Sequence, residues 1–171
     1  MAKLYFYYAS MNAGKSTNLL QADFNYRERG MRTALFTAAV DDRFAPGTIA
    51  SRIGLSADAI PFGPATDLAA IVVAAGAPPA CVLVDEAQFL NREQVVSLCR
   101  IADFRRIAVH CFGLRTDYRG RLFEGSQHLF ALADDLIELP LISSDGNKTV
   151  LHLKYVKGVP VFDGDSVEVG G

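Results

Sequence analysis

The chain has 171 residues, half of them hydrophobic, and a formal net charge of −2. That length supports one globular domain with a substantial core and is too short for two ordinary ones. The near-neutral charge offers no broad basic surface for a nucleic acid polymer or an anionic membrane, although a pocket for a single nucleotide needs local charge only.

The N-terminal run MAKLYFYYAS has one lysine and a short apolar stretch, too brief for a signal peptide, and nothing approaches a membrane span. A cytoplasmic protein is expected. Cys81, Cys99 and Cys111 are odd in number, far apart and each set in an apolar run, which suits reduced core thiols better than a disulfide. KLYFYY reads as a first buried strand and STNLLQADFNYRERG as a helix, with Leu19, Leu20 and Phe24 at helical spacing and Gly30 at the stop position. MRTALFT is a second strand. Residues 38–63 are rich in Asp, Gly and Pro and read mostly as loop. DLAAIVVAAG is a short helix. CVLVDE is a third strand, apolar enough to be buried on both faces. NREQVVSLCRIAD is a helix with Asn91 as N-cap. RIAVHCFGL is a fourth strand, LFEGSQHLFALAD contains a helix, and DLIELPL is a fifth strand. Alternating strands and helices predict an α/β fold, a parallel sheet flanked by helices. From Ile142 the character changes to Asp-Gly and Lys-Gly turns between β-branched runs, predicting hairpins appended to the main sheet. The division expected is residues 1–141 as the core and 142–171 as a small β-rich extension.

Two motifs carry chemistry. Ala9-Ser10-Met11-Asn12-Ala13-Gly14-Lys15-Ser16-Thr17 lies between the first strand and the first helix. It ends as a phosphate-binding P-loop does, with main-chain N–H groups and a helix N-terminus to cradle phosphate. Lys15 would neutralise the β and γ phosphates and Ser16 would hold Mg²⁺. The full motif wants glycine where Ala9 stands, a change the turn tolerates if that residue keeps an ordinary φ. A chance Gly-Lys-Ser at a helix start is the plain alternative. The second motif is Asp85-Glu86, closing a run of apolar residues at a strand's carboxyl end, the layout in which an acid orients Mg²⁺. Acids also end strands for structural reasons, and Glu86 could cap a turn. In open α/β sheets ligands gather at such strand ends, so the two motifs should converge. The carboxylate beside the metal ligand can take a proton from a substrate hydroxyl or activate water, so the pair suits a kinase or an ATPase.

The segments MNAGKST, NYRERGMRT, DDRF, SRIGL, VLVDEAQFL and GLRTDYRG-LF-GS occur in the order seen in type II thymidine kinases, and the chain resembles that family from Lys3 to about Glu138 and more weakly to Gly171. The resemblance implies a RecA-like P-loop core and transfer of the γ-phosphate of ATP to thymidine. By motif match Glu86 would be the general base, Asp85 and Ser16 the Mg²⁺ ligands, and Asp41 and Arg43 the D-x-R pair near the phosphates. Gln88 would join the nucleotide site. Met11, Phe89, Leu114 and Tyr118 match positions lining the thymine pocket, and aromatic and methionine surfaces suit a flat base with a methyl group. Core packing is the plain alternative for Phe89 and Tyr118, a solvated loop charge for Arg43 and a turn cap for Asp41. Arg115 and Arg119 could touch phosphate or form surface ion pairs. The resemblance also implies a homotetramer and feedback inhibition by thymidine triphosphate.

The family's structural zinc is not expected. Ser143 and Asp145 stand where a cysteine pair would be, the sequence given runs only to Gly170-Gly171, and a closed set of thiolate or imidazole ligands is missing. His152, His110 and His128 read as ordinary strand or helix residues. VPVFDGDSVEVGG resembles the far side of a lasso over the nucleoside, with Val167, Val169 and Gly170 as contacts, and without zinc weaker thymidine retention is expected. Other readings are a deoxynucleoside kinase of altered specificity and an inactive nucleotide-binding regulator.

Overall fold

The computed structural model describes residues 2–10, 15–39, 48–50, 56–74, 76–142, 148–149, 153–156 and 159–162. The chain begins with β1 (Leu4–Ala9), α1 (Lys15–Glu28) and β2 (Thr33–Ala38). Gly30 ends α1 with φ +76°, a left-handed conformation that glycine adopts without a Cβ penalty. Residues 38–63, expected to be mostly loop, contain β3 (Thr48–Ala50), β4 (Ser56–Asp58) and β5 (Ile60–Phe62). The first two pair antiparallel, and the third joins the edge of the main sheet parallel to β2. Strands of three residues are too short to show a period, and β5 exists because an edge was available to pair with.

There follow α2 (Leu68–Ala74), β6 (Cys81–Val84), α3 (Arg92–Arg100), β7 (Ala108–Leu114), α4 (Glu124–Leu132) and β8 (Asp135–Glu138). Asn91 caps α3 as expected, in a reciprocal box with Gln94: its side chain accepts from the Gln94 N–H at 2.9 Å. The helix predicted to run to Asp103 instead ends at Arg100 and widens into a π turn, Ile101–Arg105. The later segments β9 (Leu141–Ile142) and β10 (Lys148–Thr149), then β11 (Leu153–Val156) and β12 (Val159–Phe162), are antiparallel pairs. Each pair is a two-stranded sheet of its own rather than an extension of the main one.

The main sheet has the order β5-β2-β6-β7-β1-β8, with every pairing parallel. It is the helix-flanked parallel sheet anticipated from the sequence. Side chains alternate across it. Leu4, Phe6, Tyr8, Val82, Val84, Val109 and Cys111 pack under Leu68 and Val72 of α2, Val95 and Leu98 of α3 and Leu129 of α4. Ala9, Leu35, Cys81, Leu83 and Phe112 pack under Leu19 and Leu20 of α1. Phe24, expected on that apolar face, is exposed; the buried residue one position earlier is Asp23. Asp23 is satisfied there by Arg27 Nε at 2.9 Å and the Thr33 hydroxyl at 2.6 Å. The three cysteines are unpaired, and burial pushes the Cys81 thiol up to about 12. Among the described residues no helix is long and apolar enough to cross a membrane.

On the α1 side of β1 and β7, an aromatic stack surrounds His110. Its ring lies 4.8 Å from that of Tyr5, and its Nδ1 is 2.9 Å from the Tyr7 hydroxyl. Burial depresses the His110 pKa from 6.5 to about 4. The unfolded chain therefore takes up a proton at this residue below pH 6.5 while the folded chain does not until about pH 4. Stability is complete above the higher value and falls through that window, by up to about 3 kcal/mol for such a shift. Urea denaturation at pH 7.5 and 4.5 should show a larger acid loss for the wild type than for His110→Phe. Equal losses would mean that His110 does not titrate differently on folding.

Candidate active site

Parallel strands place all their carboxyl ends on one side of the sheet, and the site forms there. β1 ends at Ala9, buried and in register with Leu114. As a strand residue it keeps an ordinary backbone conformation, the condition under which alanine is tolerated at that position. Ser10 is exposed, and Ser16 and Thr17 lie half-buried on the first turn of α1. Lys15 opens that helix and is 1% exposed. Beyond one intervening strand, β6 ends at Val84 and delivers Asp85 and Glu86, each 4% exposed.

The lysine spans that gap. Lys15 Nζ stands 3.0 Å from Asp85 Oδ1 and 3.2 Å from Glu86 Oε1. Burial by itself lowers the pKa of the ammonium, but the two carboxylates more than compensate and hold it above its usual value. The lysine is therefore charged at any physiological pH.

Glu86 is one of two non-glycine residues with positive φ among those described, at φ 56° and ψ 41°. A left-handed residue with a Cβ costs about 1–2 kcal/mol, and such outliers persist where the surroundings over-determine them. The surroundings here are close. A 3₁₀ turn, Ala87–Phe89, follows at once. Gln88, 2% exposed, donates from Nε2 to Glu86 Oε2 at 2.5 Å and accepts at Oε1 from the Leu114 N–H at 3.1 Å. A Cβ on Gly113 would sit 2.9 Å from both the main-chain N and the Oε1 of Gln88. One on Gly125 would sit 2.3 Å from the Ala87 carbonyl oxygen. Ser126, the next residue of α4, donates its hydroxyl to the Leu114 carbonyl. These two glycines and the serine were not singled out from the sequence. Gly125 and Ser126 are the closing GS of the long motif, which marks them without saying that their smallness is what matters.

The structure brings Lys15, Asp85, Glu86, Gln88 and Leu114 together. Phe89 is half-exposed and meets Phe123 edge to face, with ring centroids 5.7 Å apart. Tyr118 is 94% exposed, on a loop tip held by Asp117, whose carboxylate accepts from the main-chain N–H groups of Arg119 and Arg121. Core packing, the plain alternative for Tyr118, is thereby excluded. Arg119 forms a surface ion pair with Asp117 at 3.4 Å and lies over the Tyr118 ring. Arg115 donates its main-chain N–H to the Ala9 carbonyl, and its charge partly offsets the burial that raises the pKa of Glu138. Met11, Asn12, Ala13, Gly14, Asp41, Arg43, Ser143, Asp145, His152, Val167, Val169 and Gly170 lie outside the described residues. Among the described residues, no group of three or more His, Cys, Asp or Glu side chains could hold a metal ion. Ser16 and Asp85 offer a hydroxyl and a carboxylate. Hard oxygen donors in small number fit Mg²⁺, which takes its remaining ligands from phosphate and water.

A lysine opening the helix after the first strand and an acid pair at the end of a parallel strand one place further across the sheet define the P-loop nucleotide-binding class. The family model described as thymidine kinase matches residues 2–171. The chain is 59% identical to a thymidine kinase of Novosphingobium aromaticivorans over all of its own length and 91% of the relative. Identity to the thymidine kinase of Zymomonas mobilis is 53%, covering the whole chain and 90% of the relative. For that of Photorhabdus laumondii it is 49%, with the whole chain and 87% of the relative covered. The chain belongs to the thymidine kinase family.

Replacing Lys15 by Met removes the ammonium from between two buried carboxylates. Removing one partner of a buried ionic cluster costs about 3–5 kcal/mol. Chemical denaturation of Lys15→Met at pH 7 should show a loss of that order; a loss below about 1 kcal/mol would mean that the ammonium is not what holds the acids in place.

Proposed function

We propose that this protein is an ATP-dependent thymidine kinase, transferring the γ-phosphoryl group of ATP to the 5′-hydroxyl of thymidine to give the monophosphate for nucleotide salvage. The observation that carries the reading is the meeting of Lys15 with Asp85 and Glu86 at the carboxyl ends of parallel strands, in a chain of this family. Residues Ala9 to Thr17 cradle the triphosphate, with Lys15 exchanging part of its carboxylate contact for phosphate oxygens. Ser16 and Asp85 hold Mg²⁺, which when bound offsets phosphate charge. Glu86 accepts the proton of the 5′-hydroxyl as that oxygen bonds to the γ-phosphorus. The bond from phosphorus to the β–γ bridging oxygen breaks, and ADP leaves with the electron pair. Burial of Glu86 keeps competing water away from the base.

The same reading assigns Asp41 and Arg43 to the phosphates. It assigns Met11, Phe89, Leu114 and Tyr118 to the thymine base, and Val167, Val169 and Gly170 to a closing lasso within residues 142–171. Tyr118 is available for that role, standing in solvent at a loop tip. A cytoplasmic homotetramer inhibited by thymidine triphosphate, with no structural zinc, completes the proposal.

Incubation with Mg-ATP and a panel of deoxynucleosides should yield thymidine monophosphate in preference to the others. Glu86→Gln should lower kcat by about 10²-fold or more with ATP affinity nearly unchanged. Broad turnover of several nucleosides would indicate altered specificity. ATP binding without any monophosphate would indicate a regulator, and full turnover by Glu86→Gln would require another base.

A further inference from the structure

Gln88 matched the family motif as a nucleotide-site residue, but its surroundings point inward. It is 2% exposed, and its amide is engaged at both ends by protein. The orientation of that amide follows from its partners. The main-chain N–H of Leu114 can only donate, so it must meet Oε1, and the NH₂ is left for the acceptor, the Glu86 carboxylate. Leu114 ends β7, the strand between the phosphate-loop strand and the acid strand. Both of its main-chain polar groups are engaged, the N–H by Gln88 and the carbonyl by Ser126. Glu86, by contrast, sits in a single left-handed residue between β6 and a short turn. Its carboxylate meets Lys15 at Oε1 and Gln88 at Oε2, and of these two the glutamine is the one that ties it to β7.

We propose that Gln88 is the positioning residue of the catalytic base: it aims Glu86 from a fixed point on β7 and does not bind nucleotide. Gly113 and Gly125 serve the same end. With no Cβ on either, the Ala87–Gln88 segment can sit close enough to β7 and α4 for the amide to reach both partners. The inference rests on the reading of Glu86 as the base. It adds a directional requirement: a base displaced by about 1 Å loses on the order of 10²-fold in rate with binding untouched.

The test compares wild type, Gln88→Met, which fills the space without hydrogen bonds, and Gln88→Asn, which is one methylene too short to span both partners. Wild-type thymidine turnover is measured first, and its absence counts against the proposed activity rather than against Gln88. With an active wild type, both variants should lose about 10- to 100-fold in kcat, while the Kd of ATP and the KM of thymidine move by less than about threefold. The loss should shrink to less than about threefold when Gln88→Met is combined with Glu86→Asp, whose shorter carboxylate no longer reaches the amide. Unchanged kcat, a rise in ATP Kd that matches the fall in kcat, or an undiminished loss in the Glu86→Asp background would each overturn the proposal. Failure of both variants to fold would make Gln88 a structural residue and end it as well.

Discussion

A protonated lysine buried between two carboxylates is the interaction on which the rest of this molecule is arranged. Lys15, Asp85 and Glu86 are each almost inaccessible to solvent, and the ammonium lies about equally close to both acids. None of the three charges could be buried alone, since a desolvated charge without a partner costs several kcal/mol. They are separated by some 70 residues of chain and come from different β/α units. Only a sheet that aligns its strands in parallel sets the end of β1 and the end of β6 on the same edge, one strand apart.

That arrangement places demands on the packing around it. β6 has to be apolar on both faces because helices cover both, and Cys81, Val82, Leu83 and Val84 are all fully buried. The segment after it has to turn sharply, and Glu86 takes a left-handed conformation to do so. The turn is then hemmed in by β7 and α4, where glycines at 113 and 125 leave room for main chain to approach main chain. Hydrophobic layers thus fix the strands, and a few polar contacts, made where those strands end, fix the directions of the charged groups.

Much of this was legible in the residues. Five of the six strands of the main sheet and its helices follow from runs of apolar residues broken by Gly, Pro and Asn, and the capping box at Asn91 is a local pattern of side chain and main chain. The convergence of Lys15 with Asp85 and Glu86 was legible too, because a strand order rule converts two distant motifs into one place. What failed to read were elements without a period of their own. β5 depends on a free sheet edge, and the π turn after Arg100 interrupts an otherwise continuous helical pattern. Spacing puts Phe24 with Leu19 and Leu20, yet Asp23 is the residue buried beside those two leucines, where Arg27 and Thr33 satisfy it.

The sequence by itself determined the class of fold, the family and the charged residues that meet, because apolar periodicity and short motifs are local and survive in one dimension. The tertiary structure alone decided how Glu86 is held. The left-handed turn at Glu86, the two-ended hydrogen bonding of Gln88, and the need for glycine at 113 and 125 all arise where separate strands and helices bring their atoms into contact. Short motifs mark these positions along the chain, but which atoms they bring together is decided only when the fold places them.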